Sequence, residues 1–84
     1  MILRPLKRTA DMMPFISFDR SVQELGFEFR DGSVRVRLDD RAGLDQVVLA
    51  HAAEFDQGVL FSSDMSEEAE RVVQAALFEL SEQG

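Results

Sequence analysis

The chain has 84 residues, 45% of them hydrophobic, and a formal net charge of −7. This length predicts one domain, 1–84, with enough apolar residues for a core but no run near the roughly 20 residues of a membrane helix. The absence of Cys excludes disulfides, thiolate metal sites and a thiol nucleophile, and it fits a cytoplasmic protein.

The charge is distributed unevenly along the chain. Residues 1–41 carry 8 bases and 7 acids, a net of +1, whereas residues 42–84 carry 9 acids and one base, Arg71, a net of −8. Segregated charge of this size favours a protein partner with a basic surface and disfavours direct binding to nucleic acid.

The first two predicted segments are an irregular N-terminus and a short strand. Residues 1–14 are predicted to be flexible or irregular, because Pro5, Pro14 and several charges interrupt any regular element. A short strand is predicted for residues 15–18, ahead of the clearest element of the chain.

That element is a β-hairpin over residues 25–38, with Asp31 and Gly32 as its two-residue turn. This turn predicts one apolar face made of three cross-strand pairs, which are Phe29–Val34, Phe27–Val36 and Leu25–Leu38. On the opposite face it predicts an ion pair between Glu28 and Arg35.

A helix is predicted for residues 43–56, with Gly58 as its stop. Its apolar stripe comprises Leu44, Val47, Val48, His51, Ala52 and Phe55. The competing prediction is a strand through residues 47–49, and we favour the helix because runs rich in Ala are good helix formers. Residues 59–61 then form a short buried strand.

The C-terminal helix has the most regular pattern. Its core stripe comprises Ala69, Val72, Val73, Ala76, Leu77 and Leu80. Either Asp64 or Ser66 would cap its start, and Glu67 would pair with Arg71 one turn later.

These elements predict an α+β fold in the order β-β-β-α-β-α. A small antiparallel sheet, made of the hairpin 25–38 and one or two short strands, would carry two helices packed on one face.

No group of residues predicts catalysis, and we expect neither an enzyme nor a cofactor. His51 is the only histidine, and with Glu54 at i+3 it supplies too few ligands for a metal site. The paired carboxylates show no calcium-loop spacing, so solvation and helix capping account for them. There is no nucleophile motif and no phosphate-binding glycine loop.

Two groups of residues are candidates for binding a partner. Strand alternation predicts that Arg30, Arg35 and Arg37 lie on the polar face of the hairpin, where they would bind carboxylates or form an ordinary solvated surface. Phe78 falls about 180° from the helix stripe, on the charged face, as an interface residue, a lone exposed ring or a ring covered by the N-terminal segment. Its neighbours on that face include Glu67, Arg71 and Gln74.

Three functions are compatible with these patterns. The favoured one is a small non-enzymatic protein–protein interaction module, an adaptor, assembly or regulatory subunit, whose two-faced charge would also permit self-association as a homo-oligomer. The second is an acidic inhibitor that mimics nucleic acid and blocks a basic groove, by analogy with phage anti-defence proteins. The third is a small-ligand or metal-binding domain that uses His51 and the acids.

Overall fold

The computed structural model describes residues 13–83 and confirms the α+β class with its hairpin and helices. Four strands and three helices follow one another along the chain. In chain order they are β1 (Phe15–Asp19), β2 (Glu24–Phe29), β3 (Gly32–Arg37), α1 (Arg41–Ala50), α2 (Ala52–Phe55), β4 (Leu60–Phe61) and α3 (Glu67–Gln83).

The four strands form one sheet in the order β3-β2-β1-β4. β1, β2 and β3 are antiparallel neighbours, whereas β4 runs parallel to β1. The prediction of a purely antiparallel sheet was therefore wrong at one edge. The chain passes through α1 and α2 before β4, and this long connection lets β4 enter the sheet in the same direction as β1.

The predicted hairpin is present, but its register differs by two residues. Phe29 pairs with Gly32, Phe27 with Val34 and Leu25 with Val36. The turn is formed by Arg30 and Asp31, and Gly32 takes the positive φ of 148° that a side chain would disfavour.

A shift of two residues preserves which side chains face the core, because strand side chains alternate with a period of two. The apolar face was therefore predicted correctly. The cross-strand pairing of Glu28 with Arg35 was predicted incorrectly, since Glu28 lies opposite Ser33 and Arg35 lies opposite Gly26.

The core lies between one face of the sheet and the three helices. The sheet contributes Ile16, Phe18, Leu25, Phe27, Phe29 and Val36, and the helices contribute Leu44, Val48, Phe55, Ala69, Val73 and Ala76. At roughly 1.5–3 kcal/mol for each fully buried large side chain, these contacts are the main favourable term in folding. The other face of the sheet has no helix over it among residues 13–83.

The middle segment is helical, as favoured, but it consists of two helices rather than one. The Asp40 carboxylate caps α1 by accepting a hydrogen bond from the Gly43 amide, 3.0 Å away. At His51 the backbone leaves helical geometry, with φ −119° and ψ 30°, and α2 begins at the next residue. The structure therefore has three helices where the sequence predicted two.

α3 is capped by Ser66, the second of the two predicted caps. The Ser66 hydroxyl accepts a hydrogen bond from the Ala69 amide at 3.1 Å, whereas the Asp64 carboxylate accepts one from the Ser62 hydroxyl. Three acids in the first turn of the helix complement its dipole.

The prediction for residues 1–14 falls mostly outside the described part of the chain. Of its last two residues, Pro14 is fully buried, and its carbonyl accepts a hydrogen bond from the Leu60 amide at 2.9 Å. Met13 lies beside Gly58. Within residues 13–83, no helix has the length and apolar character needed to cross a membrane.

Candidate functional site

The outer face of α3 carries the four helix residues singled out by the sequence. Ala69, Val73 and Ala76 on the inner face are buried, so residues half a turn away point to solvent. Phe78 is 64% exposed, the largest exposed fraction of the large hydrophobic side chains of residues 13–83. Glu67, Arg71 and Gln74 are exposed on the same face.

Electrostatically, α3 is strongly acidic. It has five glutamates and one arginine, Arg71, which gives a net charge of −4. Arg71 Nη2 lies 4.0 Å from Glu67 Oε2, as the i,i+4 spacing predicts, but both side chains are highly exposed and the pair is weak. An apolar ring in an acidic surface is therefore the main feature of this face.

The three arginines of the hairpin are less concentrated than the sequence predicts. Arg35 and Arg37 both lie on the uncovered sheet face, but each is near a carboxylate: Arg35 Nη1 is 3.5 Å from Glu24 Oε1, and Arg37 Nε is 3.3 Å from Asp39 Oδ1.

Arg30 lies in the turn and not in a strand, which corrects its predicted place beside the other two arginines. Its backbone amide donates to Glu54 Oε1 of α2 at 3.3 Å. The hairpin therefore supplies two partly neutralised arginines rather than a strip of three.

A shallow depression of about 490 Å³ lies on the same uncovered face. Its floor is a row across three strands, formed by Ser17, Gly26 and Arg35. Gly26 has no side chain, which leaves the centre of the row open. Asp19, Arg20, Glu24 and Asp64 also line it, so charges of both signs are present. Within residues 13–83 no three His, Cys, Asp or Glu side chains are placed to hold a metal ion.

At the rim of this depression, Asp19 closes the turn between β1 and β2. Its Oδ1 accepts hydrogen bonds from the Ser21 hydroxyl at 2.7 Å and from the Ser21 amide at 3.1 Å. These bonds, the hydroxyl first, hold the pKa of the Asp19 carboxyl below its ordinary value. They also stiffen the turn.

A second opening, of about 580 Å³, is a groove between α2 and the C-terminal half of α3. Leu77 and Leu80 line one wall, and Ala52 and Ala53 line the other. The sequence pattern did not indicate this groove, because one continuous helix over 43–56 would have had no second axis here. In the sequence, the only local indication of the groove was the pair of small residues after His51, Ala52 and Ala53.

His51 and Glu54 do not meet as an acid–base or metal-binding pair. The His51 ring stacks on Phe29, and its Nδ1 lies 3.0 Å from the Val47 carbonyl oxygen. Glu54 accepts the hydrogen bond from the Arg30 amide. Both residues connect the helices to the hairpin.

Comparison of the chain with protein-family models, with curated proteins and with solved structures gave no match. The function proposed below therefore depends on the geometry and charge of the described residues.

Proposed function

We propose that this protein is a small, non-enzymatic protein–protein interaction module, and that the outer face of α3 binds a partner with a basic surface. The observation that carries this proposal is Phe78, 64% exposed on a helix with a net charge of −4. A large ring exposed on the side of the helix that does not contribute to the core gains free energy only when something covers it.

The energetics favour a contact of this kind. Full burial of a Phe side chain contributes about 1.5–3 kcal/mol, and residues of this type often dominate an interface from its centre. The surrounding glutamates would add long-range attraction to a basic surface and a faster association rate. The Phe78 ring would contribute most of the affinity, and the glutamates would orient the partner and raise the association rate.

Self-association through this face is less favourable than a basic partner. Two copies of α3 would bring a net charge of −4 against another −4. Arg71 is the only cation of α3, and it lies beside Glu67 of its own helix. Repulsion between the two helices would oppose the gain from covering two Phe78 rings.

The proposal can be tested by placing the photo-crosslinking residue p-benzoylphenylalanine at Phe78 in native cells. The matched control places it at Val22, an exposed apolar residue in the turn between β1 and β2. We expect a crosslink to a basic protein from position 78 and none from position 22. No crosslink at position 78, or a crosslink only to a second copy of this chain, would contradict the proposal.

A pair of variants separates the contribution of the Phe78 ring to binding from the contribution of the overall charge. Phe78→Gln removes the ring and keeps a good helix former, and Ala75→Gln makes the same new residue at another exposed position of α3. Only Phe78→Gln should weaken binding to the captured partner. Equal binding by both variants would show that the ring is not part of the interface.

The acidic inhibitor remains a second candidate, favoured by the five glutamates of α3. It requires that the captured partner be a nucleic-acid-binding protein and that this chain and DNA compete for one groove. It also requires affinity that falls steeply with salt, because exposed charges would supply most of the binding. Weak salt dependence together with strong dependence on Phe78 favours the adaptor. A cytoplasmic location remains a prediction from the absence of Cys.

A further inference from the structure

The groove between α2 and α3 has an apolar lining that its own chain leaves partly open. Leu77 and Leu80 are only half-buried although they project toward α2. α2 is four residues long and presents Ala52 and Ala53 at this position, so it is too short and its side chains are too small to cover them. The space of about 580 Å³ is suited to apolar side chains from outside.

Charge at one end of the groove indicates the sign of its occupant. Asp56 lines the α2 end of the groove. Its carboxylate forms no ion pair with any other residue of the described range 13–83. An occupant with a cation beside its apolar side chains would satisfy this carboxylate, whereas a second copy of α3, with its net charge of −4, would bring more acid.

The walls of the groove indicate the backbone conformation of the occupant. Both walls are helices, whose backbone groups are already hydrogen-bonded within each helix, so there is no free strand edge onto which an extended peptide could add. A peptide bound here must satisfy its own backbone hydrogen bonds. A helix does so while it presents apolar side chains along one face.

We propose that this groove binds a basic amphipathic helix of the partner protein. This inference rests on the proposed function and assigns the chemistry of the partner. The groove adjoins the interface inferred above, because Ser81 lies one turn from Phe78 on α3. One helix could lie in the groove and contact the Phe78 ring beside it.

The test uses a fluorescein-labelled peptide of about 14 residues, with Leu at helical spacing and Lys at all other positions. Its affinity is measured by fluorescence anisotropy. A peptide of the same composition with alternating Leu and Lys, which cannot form an amphipathic helix, is the matched ligand. We expect the helical peptide to bind at least about tenfold more tightly, a difference of about 1.4 kcal/mol.

Variants then locate the binding site. Ala53→Arg places a long cation in the groove, whereas Ala75→Arg makes the same charge change on α3 about 160° away from Leu77. We expect Ala53→Arg to weaken binding about tenfold and Ala75→Arg to weaken it less than about threefold. Ser81→Arg repeats the test if Ala53→Arg does not fold, and its control is Ser33→Arg, the same substitution at an exposed position of β3 on the sheet face away from the helices.

Equal weakening by Ala53→Arg and Ala75→Arg would overturn the inference, since binding would then depend on charge alone. Equal affinity for the two peptides would overturn it as well. Failure of the proposed function is seen separately, as loss of the crosslink from position 78 to a basic protein. If the crosslink from position 78 is retained but the groove variants do not weaken peptide binding, the proposed interaction module stands and only the groove is excluded as a binding site.

Discussion

The imidazole of His51 lies flat against the ring of Phe29, with the ring centroids 3.6 Å apart and the planes parallel. Because the Val47 carbonyl can only accept, the Nδ1 atom 3.0 Å away carries the proton of that hydrogen bond. The stack joins the break between α1 and α2 to the end of β2. The only histidine of the chain therefore has a structural role at this junction.

We expect His51→Ala to lower the free energy of unfolding by about 1–3 kcal/mol, through loss of the stacked ring and of the hydrogen bond. His51→Phe keeps a ring on Phe29 and loses only the hydrogen bond, so it should cost about 0.5–1.5 kcal/mol. Urea unfolding followed by circular dichroism measures both values. Equal losses for the two variants would mean that the stack contributes nothing.

Two glycines should respond differently to the addition of a methyl group. Gly58 has φ +116°, a conformation that side chains rarely adopt, so Gly58→Ala should cost about 1–3 kcal/mol. Gly26 has ordinary strand geometry, and its new Cβ would lie 3.1 Å from Ser17 Oγ, a hydroxyl that can rotate away. Gly26→Ala should change stability by less than about 1 kcal/mol. Thermal unfolding compares them, and a larger cost at Gly26 would contradict the prediction.

Arg41 links α1 to α3 through the carboxylate of Glu79, and it also pairs with Asp45 of its own helix. Its Nε donates to Asp45 Oδ1 at 3.1 Å, and its Nη2 lies 2.9 Å from Glu79 Oε1. The Arg41 side chain is 42% exposed, so solvent screens both pairs and Glu79→Gln should cost no more than about 1 kcal/mol.

Glu82→Gln is the control for Glu79→Gln, because Glu82 lies on the same helix and forms no ion pair with the described residues. The difference between the two variants should shrink in high salt, where screening weakens the Arg41 pairs. Chemical unfolding at low and high salt measures this. Identical stabilities for the two variants at low salt would mean that Arg41 contributes nothing to helix association.

The Asp19 turn should stabilise the protein in a pH-dependent manner. The hydroxyl and amide of Ser21 bind the ionised carboxylate and lower its pKa, so the folded state holds the proton less tightly than the unfolded chain. The contribution is therefore complete above the ordinary pKa of an aspartate, near 4, and it is lost as the pH falls through the lower pKa of the folded state.

Ser21→Ala removes the hydroxyl and should raise the pKa of Asp19 toward its ordinary value, which a carboxyl-carbon NMR titration measures. Ser33→Ala, a serine on β3 that makes no hydrogen bond to Asp19, should leave that pKa unchanged. A Ser21→Ala protein in which Asp19 titrates as in the wild type would show that the hydroxyl does not hold the carboxylate.

Local periodicity predicted which residues of the hairpin and of α3 face the core, because alternation and helical spacing are properties of neighbouring residues. It predicted the hairpin register incorrectly. The pair Asp31-Gly32 is a good central turn, but the structure uses Gly32 as the residue after the turn, where it also takes a positive φ. Both registers bury the same side chains, so the hydrophobic pattern could not distinguish them.

The remaining differences come from contacts between distant segments. The break at His51 accompanies a stack on Phe29, 22 residues earlier in the chain, and the direction of β4 depends on its pairing with β1. The exposed position of Phe78 followed from helical geometry and was predicted. The α2–α3 groove required the relative position of two helices, which no local pattern specifies.

The pairing of β1 with β4 also affects how the protein is made. Phe15 and Ile16 of β1 pair with Leu60 and Phe61 of β4. During synthesis, β1, β2 and β3 are therefore made well before β4, the strand that covers the outer edge of β1. A nascent chain that has not reached residue 60 carries an open strand edge, which is a surface that recruits strands from other chains. The outer edge of β1 therefore stays uncovered during synthesis until these last two residues of the sheet emerge.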